Sequence, residues 1–275
     1  MEKRVKIISV FAMIILCMVA CKKSPQRKLE KYIWGTELVN MDTYAEVGEY
    51  RGINIPFAYS NGKAEIKFVS ADGTNTDAVS VEVMDDTLED FDRLEYGGYR
   101  FGCLGFMCKL LEDKDVTINQ MIISINGESE TIVFDNPLAI KSHVNENCFS
   151  ENMTADAVFG ATNNSLTYVV TTREKLTITD YGFSGAFSLK EGNTVVNGSK
   201  KNVRGTTVDA DCKISLNVVT EVDEKNEYGF LSGNFYIEYI NEEGKTDRYY
   251  FGLIQQGAGN DIDGSIVLKK LVDGK

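Results

Sequence analysis

The amino-acid sequence predicts an all-β protein: two antiparallel β-sandwich or barrel-like domains that follow an apolar N-terminal leader and a short tether. Three observations predict it. From Ala45 onward the apolar residues fall in short or alternating runs separated by Gly, Asn and Asp turn signals. The 13 Tyr and 14 Phe far outnumber the single Trp, and only 3 prolines interrupt them, a bias that favours strands. No long segment of period 3.6 supplies the crossover helices that a parallel sheet requires.

The leader comes first. Lys3, Arg4 and Lys6 form a positive start, and Ile7 to Ala20 is apolar apart from Ser9, a length that suits a signal h-region of roughly 7–15 residues. A spanning helix needs about 20 apolar residues, and here Cys21-Lys22-Lys23 follows at once. The ending Met18-Val19-Ala20-Cys21 resembles a bacterial lipoprotein signal peptide, with a small residue before the cysteine and Met18 where that motif usually has Leu. The resemblance implies that Cys21 receives diacylglycerol and becomes the first residue of the mature protein. It covers residues 1–21 alone. Cys17 is not the equivalent position, because Leu16 is too bulky for the cleavage site. A secretory signal cut nearby, giving a soluble exported protein, is the alternative.

Residues 21–40 are the expected tether, with one or two helical turns around Lys28-Leu29-Glu30-Lys31-Tyr32 before Gly35. Its first part is a basic collar of Lys22, Lys23, Arg27, Lys28 and Lys31 against Glu30, each charge adding about 1 kcal/mol of attraction to an anionic surface. The chain carries a net charge of −12. Without the leader's three positive and one negative residues it is −14, and without the collar residues 32–275 carry −18. Such a body repels nucleic acid, so DNA or RNA binding through a basic face is excluded.

Residues 41–142 form the first expected β domain. Ala64–Val69 and Val79–Val83 alternate, and with Asp72-Gly73 between them they read as a hairpin. Tyr99–Lys109 is extended and Leu110–Asp115 leads into a turn. Met121–Ile125 and Thr131–Phe134 flank Asn126-Gly127, the strongest hairpin signal in the chain. Pro137 is expected to end that strand, and the polar, asparagine-rich stretch 143–165 holds the expected boundary. Residues 143–275 repeat the grammar: Leu176–Thr179, Phe183–Leu189, Ile214–Val218, Phe235–Ile240 and Tyr249–Ile254 are the strands. Glu191-Gly192-Asn193, Asn197-Gly198-Ser199 and Glu242–Lys245 are the turns.

Four cysteines remain after Cys17 and Cys21. Pairing Cys103–Cys108 with Cys148–Cys212 is permitted if Gly105 turns the chain, since an extended run would hold the first two roughly 17 Å apart. Four buried free thiols are the equal alternative.

Chemistry-bearing motifs are sparse. The acidic run Asp85, Asp86, Glu89, Asp90, Asp92 and Glu95 lacks EF-hand order and reads as a solvated loop. Asp261-Ile262-Asp263-Gly264 reads as a turn before a last strand. His143 is the single histidine, in the expected linker, so neither a nucleophilic triad nor a zinc site is predicted. No Walker or dinucleotide-binding glycine pattern is present, and no cofactor, metal or catalytic residue is assigned. The softer lead is aromatic. Alternation puts Phe235, Ile237 and Tyr239 on one strand face and Tyr236, Glu238 and Ile240 on the other, so Tyr236 with Tyr249 is the candidate ligand patch, and core packing on both faces is the plainer reading.

The sequence therefore predicts a lipid-anchored protein of the bacterial cell envelope, its body periplasmic or extracellular. The expected role is a non-enzymatic binding or envelope-interaction module for a glycan or envelope protein. A carboxylate-dependent envelope hydrolase such as a glycosidase is the alternative, since that chemistry needs only two suitably spaced carboxylates, and a structural spacer is the third.

Overall fold

A computed structural model describes residues 32–60, 66–84, 94–142, 152–160, 165–200, 202–256 and 263–274. The leader, Cys21, the collar, the acidic run from Asp85 to Asp92, His143, Cys148 and Asp261 lie outside the described residues. The strands are β1 (Tyr32–Trp34), β2 (Val39–Tyr44), β3 (Tyr50–Tyr59), β4 (Ile66–Thr74), β5 (Val79–Met84), β6 (Glu95–Tyr96), β7 (Tyr99–Leu110), β8 (Val116–Ile125) and β9 (Glu128–Lys141). They continue with β10 (Met153–Gly160), β11 (Ser165–Thr172), β12 (Leu176–Phe183), β13 (Phe187–Val196), β14 (Ser199–Lys200) and β15 (Thr206–Val208). After β16 (Lys213–Val222), β17 (Phe230–Ile240) and β18 (Thr246–Gln256) comes one helix, α1 (Gly264–Asp273).

The protein is all-β, built as two sandwiches that share a sheet. One outer sheet runs β1-β3-β7-β5 with β6 beside β7, the other runs β10-β11-β16-β13-β14, and the shared sheet runs β15-β12-β17-β2-β9-β8-β4 with β18 on β17. The first outer sheet packs its Ile53, Ile55, Phe57, Leu104 and Phe106 against Met41, Ile118, Ile123 and Leu138 of the shared sheet. The second packs Tyr168, Val170, Ile214 and Leu216 against Ile178, Phe235, Ile237 and Phe251. Residues 31–275 form one compact unit.

Burial follows from which faces are covered. β8 alternates buried and half-buried residues because one of its faces meets solvent. β7 is buried almost continuously from Phe101 to Phe106 because α1 covers its second face: Gly264 sits against Phe101, and Leu271 sits against Gly35. Close approach explains Gly102, since a Cβ there would lie 2.4 Å from the Phe57 ring that faces it across the β3–β7 ladder.

The Asn126-Gly127 hairpin is as expected: Asn126 (φ 51°) and Gly127 (φ 83°) join β8 to β9, with Ile125 opposite Glu128. The turns at Asn197-Gly198 and at Glu242–Lys245 also form, between β13 and β14 and between β17 and β18.

Other expectations are corrected. β4 and β5 do not pair with each other; β4 pairs with β8 and β5 with β7, in different sheets, because the turn at Thr76–Ala78 carries the chain from one layer to the other. Asp72-Gly73 is a ladder irregularity within β4, where a Cβ on Gly73 would meet the Thr117 carbonyl oxygen at 1.9 Å. Pro137 does not end β9. It lies in a four-residue segment, Phe134 to Pro137, that leaves the β8 ladder between Gln120↔Val133 and Ile118↔Leu138, where its missing N–H costs nothing.

Phe183 to Leu189 is the end of β12 and the start of β13, with Gly185 (φ 73°) in the turn between them. Glu191 to Asn193 stays within β13 at a register shift. Residues 32–40, read as tether, begin the fold. Asp263 starts a helix rather than a turn, its carboxylate accepting the Ser265 N–H at 2.9 Å as the N-cap.

Among the described residues the pairing is antiparallel except at one place. β2 runs parallel to both of its neighbours, β17 (Val39↔Phe230 to Asp42↔Gly233) and β9 (Asp42↔Ala139 to Tyr44↔Lys141). It splices the two sandwiches into one sheet.

Candidate functional site

The splice creates a fork. The first residues of β17 pair with β2 and the later ones, from Phe235, pair with β12, so the ladder changes partner at Asn234. Side chains satisfy the backbone there. Asn234 Oδ1 accepts the Tyr44 N–H at 2.9 Å, and Ser184 Oγ accepts the Asn234 N–H at 2.8 Å while donating to the Asp42 carbonyl at 2.6 Å. Gly233 makes room, since a Cβ on it would meet the Ser184 carbonyl oxygen at 2.5 Å.

Beyond the fork, on the face of β17 turned away from the second core, the side chains form a cross-strand row. The loop after Ile240 sets the register so that Tyr236 faces Tyr250 and Glu238 faces Arg248. On the other edge Asp180 faces Glu238, because a bulge between Ile178 and Asp180 adds Thr179 to β12. Arg204 completes the row: its Nε donates to Asp180 Oδ1 at 2.8 Å. Arg248 donates to Glu238 Oε2 at 2.7 Å and to the Tyr250 hydroxyl at 3.0 Å, and Thr179 Oγ1 donates to Glu238 Oε1 at 3.0 Å. The order across the sheet is Arg204, Asp180, Glu238, Arg248.

Aromatic rings lie against the cations. The Arg204 guanidinium lies 4.3 Å from the Tyr181 ring centre and that of Arg248 lies 4.5 Å from Tyr236. Nearer the fork, Tyr44 stacks on Tyr250, and Lys141 lies 5.2 Å from the Tyr44 ring centre. Burial opposes the charge on Arg248, but its bonds to Tyr250 and Glu238 more than offset this and hold it above the ordinary range. Burial first, then the Asp180 carboxylate, raise the Tyr236 hydroxyl.

The two tyrosines expected to form a patch lie on opposite faces of the sheet. The alternation on β17 is as read: Phe235, Ile237 and Tyr239 are fully buried, whereas Tyr236 and Glu238 are half-buried. Tyr249 is corrected. It points into the second core, where its hydroxyl accepts the Ala155 N–H at 2.9 Å, and Tyr250 is the residue beside Tyr236. Arg204, Asp180 and Arg248 belong to no motif; the signal that could have found Arg248 is hairpin register, which places it opposite Glu238.

The thiols are corrected too. Cys103 and Cys108 lie on one extended strand, and five residues of alternation send them to opposite faces, Cys108 into the first core and Cys103 toward the side covered by α1. They are separate buried thiols, each pushed up to about 12 by burial. Cys212 is buried in the second core, and the expected partner Cys148 lies outside the described residues.

No family model and no curated protein matches the chain. Among solved structures it is similar to tandem Ig repeats of Dlar (9% identity, 82% of this chain and 97% of that one, TM-score 0.24). It is also similar to the Enterococcus faecalis MSCRAMM ACE, whose title says that it binds its ligands by the collagen Hug model (10%, 78% and 92%, TM-score 0.24). A third is the CFA/I enterotoxigenic E. coli adhesin CfaE (8%, 76% and 95%, TM-score 0.22). All three TM-scores are far below 0.5.

Proposed function

We propose that this chain is an exported bacterial lipoprotein, tethered to a membrane of the cell envelope through Cys21, whose body is a non-enzymatic binding module for a glycan or envelope protein. The observation that carries the location is Met18-Val19-Ala20-Cys21 after a basic, apolar leader. The fold supports a short leash: β1 starts at Tyr32, so residues 21–31 reach at most roughly 36–40 Å. Binding is supported by the row of half-exposed arginine and carboxylate side chains beside one face of the shared sheet. Hydrolysis fits that row less well, because both carboxylates are engaged by arginines as acceptors, whereas a glycosidase needs one carboxyl that holds and donates a proton.

The test has two arms. Labelled palmitate is expected to enter the wild-type protein and not Cys21→Ala. The detergent-solubilised full-length protein is expected to capture a glycan or an envelope protein without turning it over. Palmitate persisting in Cys21→Ala removes the anchor, and catalytic turnover of a captured glycan removes the non-enzymatic reading.

A further inference from the structure

Asp180 and Glu238 are direct cross-strand partners, and like charges opposite one another destabilise a sheet. The fold keeps them together by bracketing the pair with Arg204 on one side and Arg248 on the other, and by a bulge that brings Thr179 onto Glu238. We propose that this quartet is the subsite for a neutral glycan chain lying across β12, β17 and β18. The proposal rests on the binding-module reading and narrows it to one ligand chemistry.

Five properties of the row select that ligand. Its two cations and two anions sum to zero, and it sits on a body of charge −18, so it offers an anionic polymer no net attraction. Guanidinium groups only donate and carboxylates only accept, whereas each sugar hydroxyl does both and can bridge neighbours in the row. The side chains remain within reach of solvent, with Arg204 45%, Asp180 48%, Glu238 27% and Arg248 39% exposed. The Tyr181 and Tyr236 rings and the ion pairs to Asp180 and Glu238 hold the two guanidinium groups in place before any ligand arrives, which lowers the ordering cost of binding. Asp180, Glu238 and Arg248, on three neighbouring strands, span about 10 Å of the sheet face and Arg204 extends the row from the loop before β15, a shape for a chain of rings rather than for a single enclosed sugar.

Affinity electrophoresis of the full-length protein in detergent tests the proposal, with gels holding a soluble β-glucan, an α-mannan or a xylan, and alginate as the anionic comparison. At least one neutral polymer is expected to retard the protein equally at low and high salt, because no ion pair with the ligand is screened. Asp180→Asn with Glu238→Gln is expected to weaken that retardation about tenfold, the order of one hydrogen bond to a charged group, with an unchanged circular dichroism spectrum. If that double variant unfolds, Arg204→Gln at a nearly half-exposed position makes the same comparison.

Retardation by alginate alone, a calcium requirement, or equal retardation of the variants overturns the proposal. Capture of an envelope protein that the variants leave intact overturns it while sparing the binding-module reading. Capture of nothing overturns both.

Discussion

Replacing Asn234 with alanine removes the acceptor that closes the fork. The Tyr44 N–H, now bonded to Asn234 Oδ1 at 2.9 Å, loses that acceptor in a buried setting, because Asn234 is 5% exposed and Tyr44 is 2% exposed. An orphaned buried donor costs about 1–3 kcal/mol. In a chain of this size that lowers Tm by roughly 2–12 °C. Asn234→Asp keeps an acceptor in place and should lose less. The assay is urea unfolding followed by circular dichroism, with the midpoint falling at unchanged m. Ser184→Ala should show a similar loss, since it strips the acceptor from the Asn234 N–H and the donor from the Asp42 carbonyl. The reasoning is refuted if Asn234→Ala unfolds within about 0.5 kcal/mol of the wild type, the range of an ordinary surface change.

Further perturbations probe the two cores. Gly102→Ala forces a Cβ to within 2.4 Å of the Phe57 ring and should cost about 1–3 kcal/mol by overpacking, read as a lowered Tm. Leu271→Ala, at a side chain that is 2% exposed, should cost about 2–5 kcal/mol and raise the alkylation rate of Cys103, on the face covered by α1, above that of Cys108 in the core. The thiols also set an alkaline limit. The unfolded cysteines lose their protons near pH 9 while Cys103 and Cys108 keep theirs to about 12, so the folded state binds more protons in that window. Stability should fall as pH rises above about 9, by up to about 1.4 kcal/mol per pH unit for each thiol, and the slope should shrink in Cys103→Ala with Cys108→Ala.

Periodicity carried most of the fold. Met121–Ile125 and Asn126-Gly127 made β8 and β9 legible because alternation fixes a strand's faces and a two-residue turn fixes its register. Val79–Val83 showed its faces but not its partner, because a pattern of period two is satisfied equally by β4 or by β7. The helix was hidden by Asp263-Gly264, a turn signal that also serves as an N-cap followed by the first helical residue; Val267, Leu268 and Leu271 carried its apolar stripe.

The site was legible to the same depth. Tyr236 and Glu238 followed from alternation alone. Choosing Tyr250 over Tyr249 required counting the loop from Ile240 to Thr246. Asp180 and Arg204 come from a bulge and from a loop before β15, which no spacing in the sequence announces.

The central claim is a binding body held to a membrane by one lipidated cysteine, and mass spectrometry of the mature N-terminal peptide tests it most directly. The predicted result is a peptide that begins at Cys21 and carries the mass of a diacylglyceryl group. An unmodified N-terminus at any other residue would contradict it.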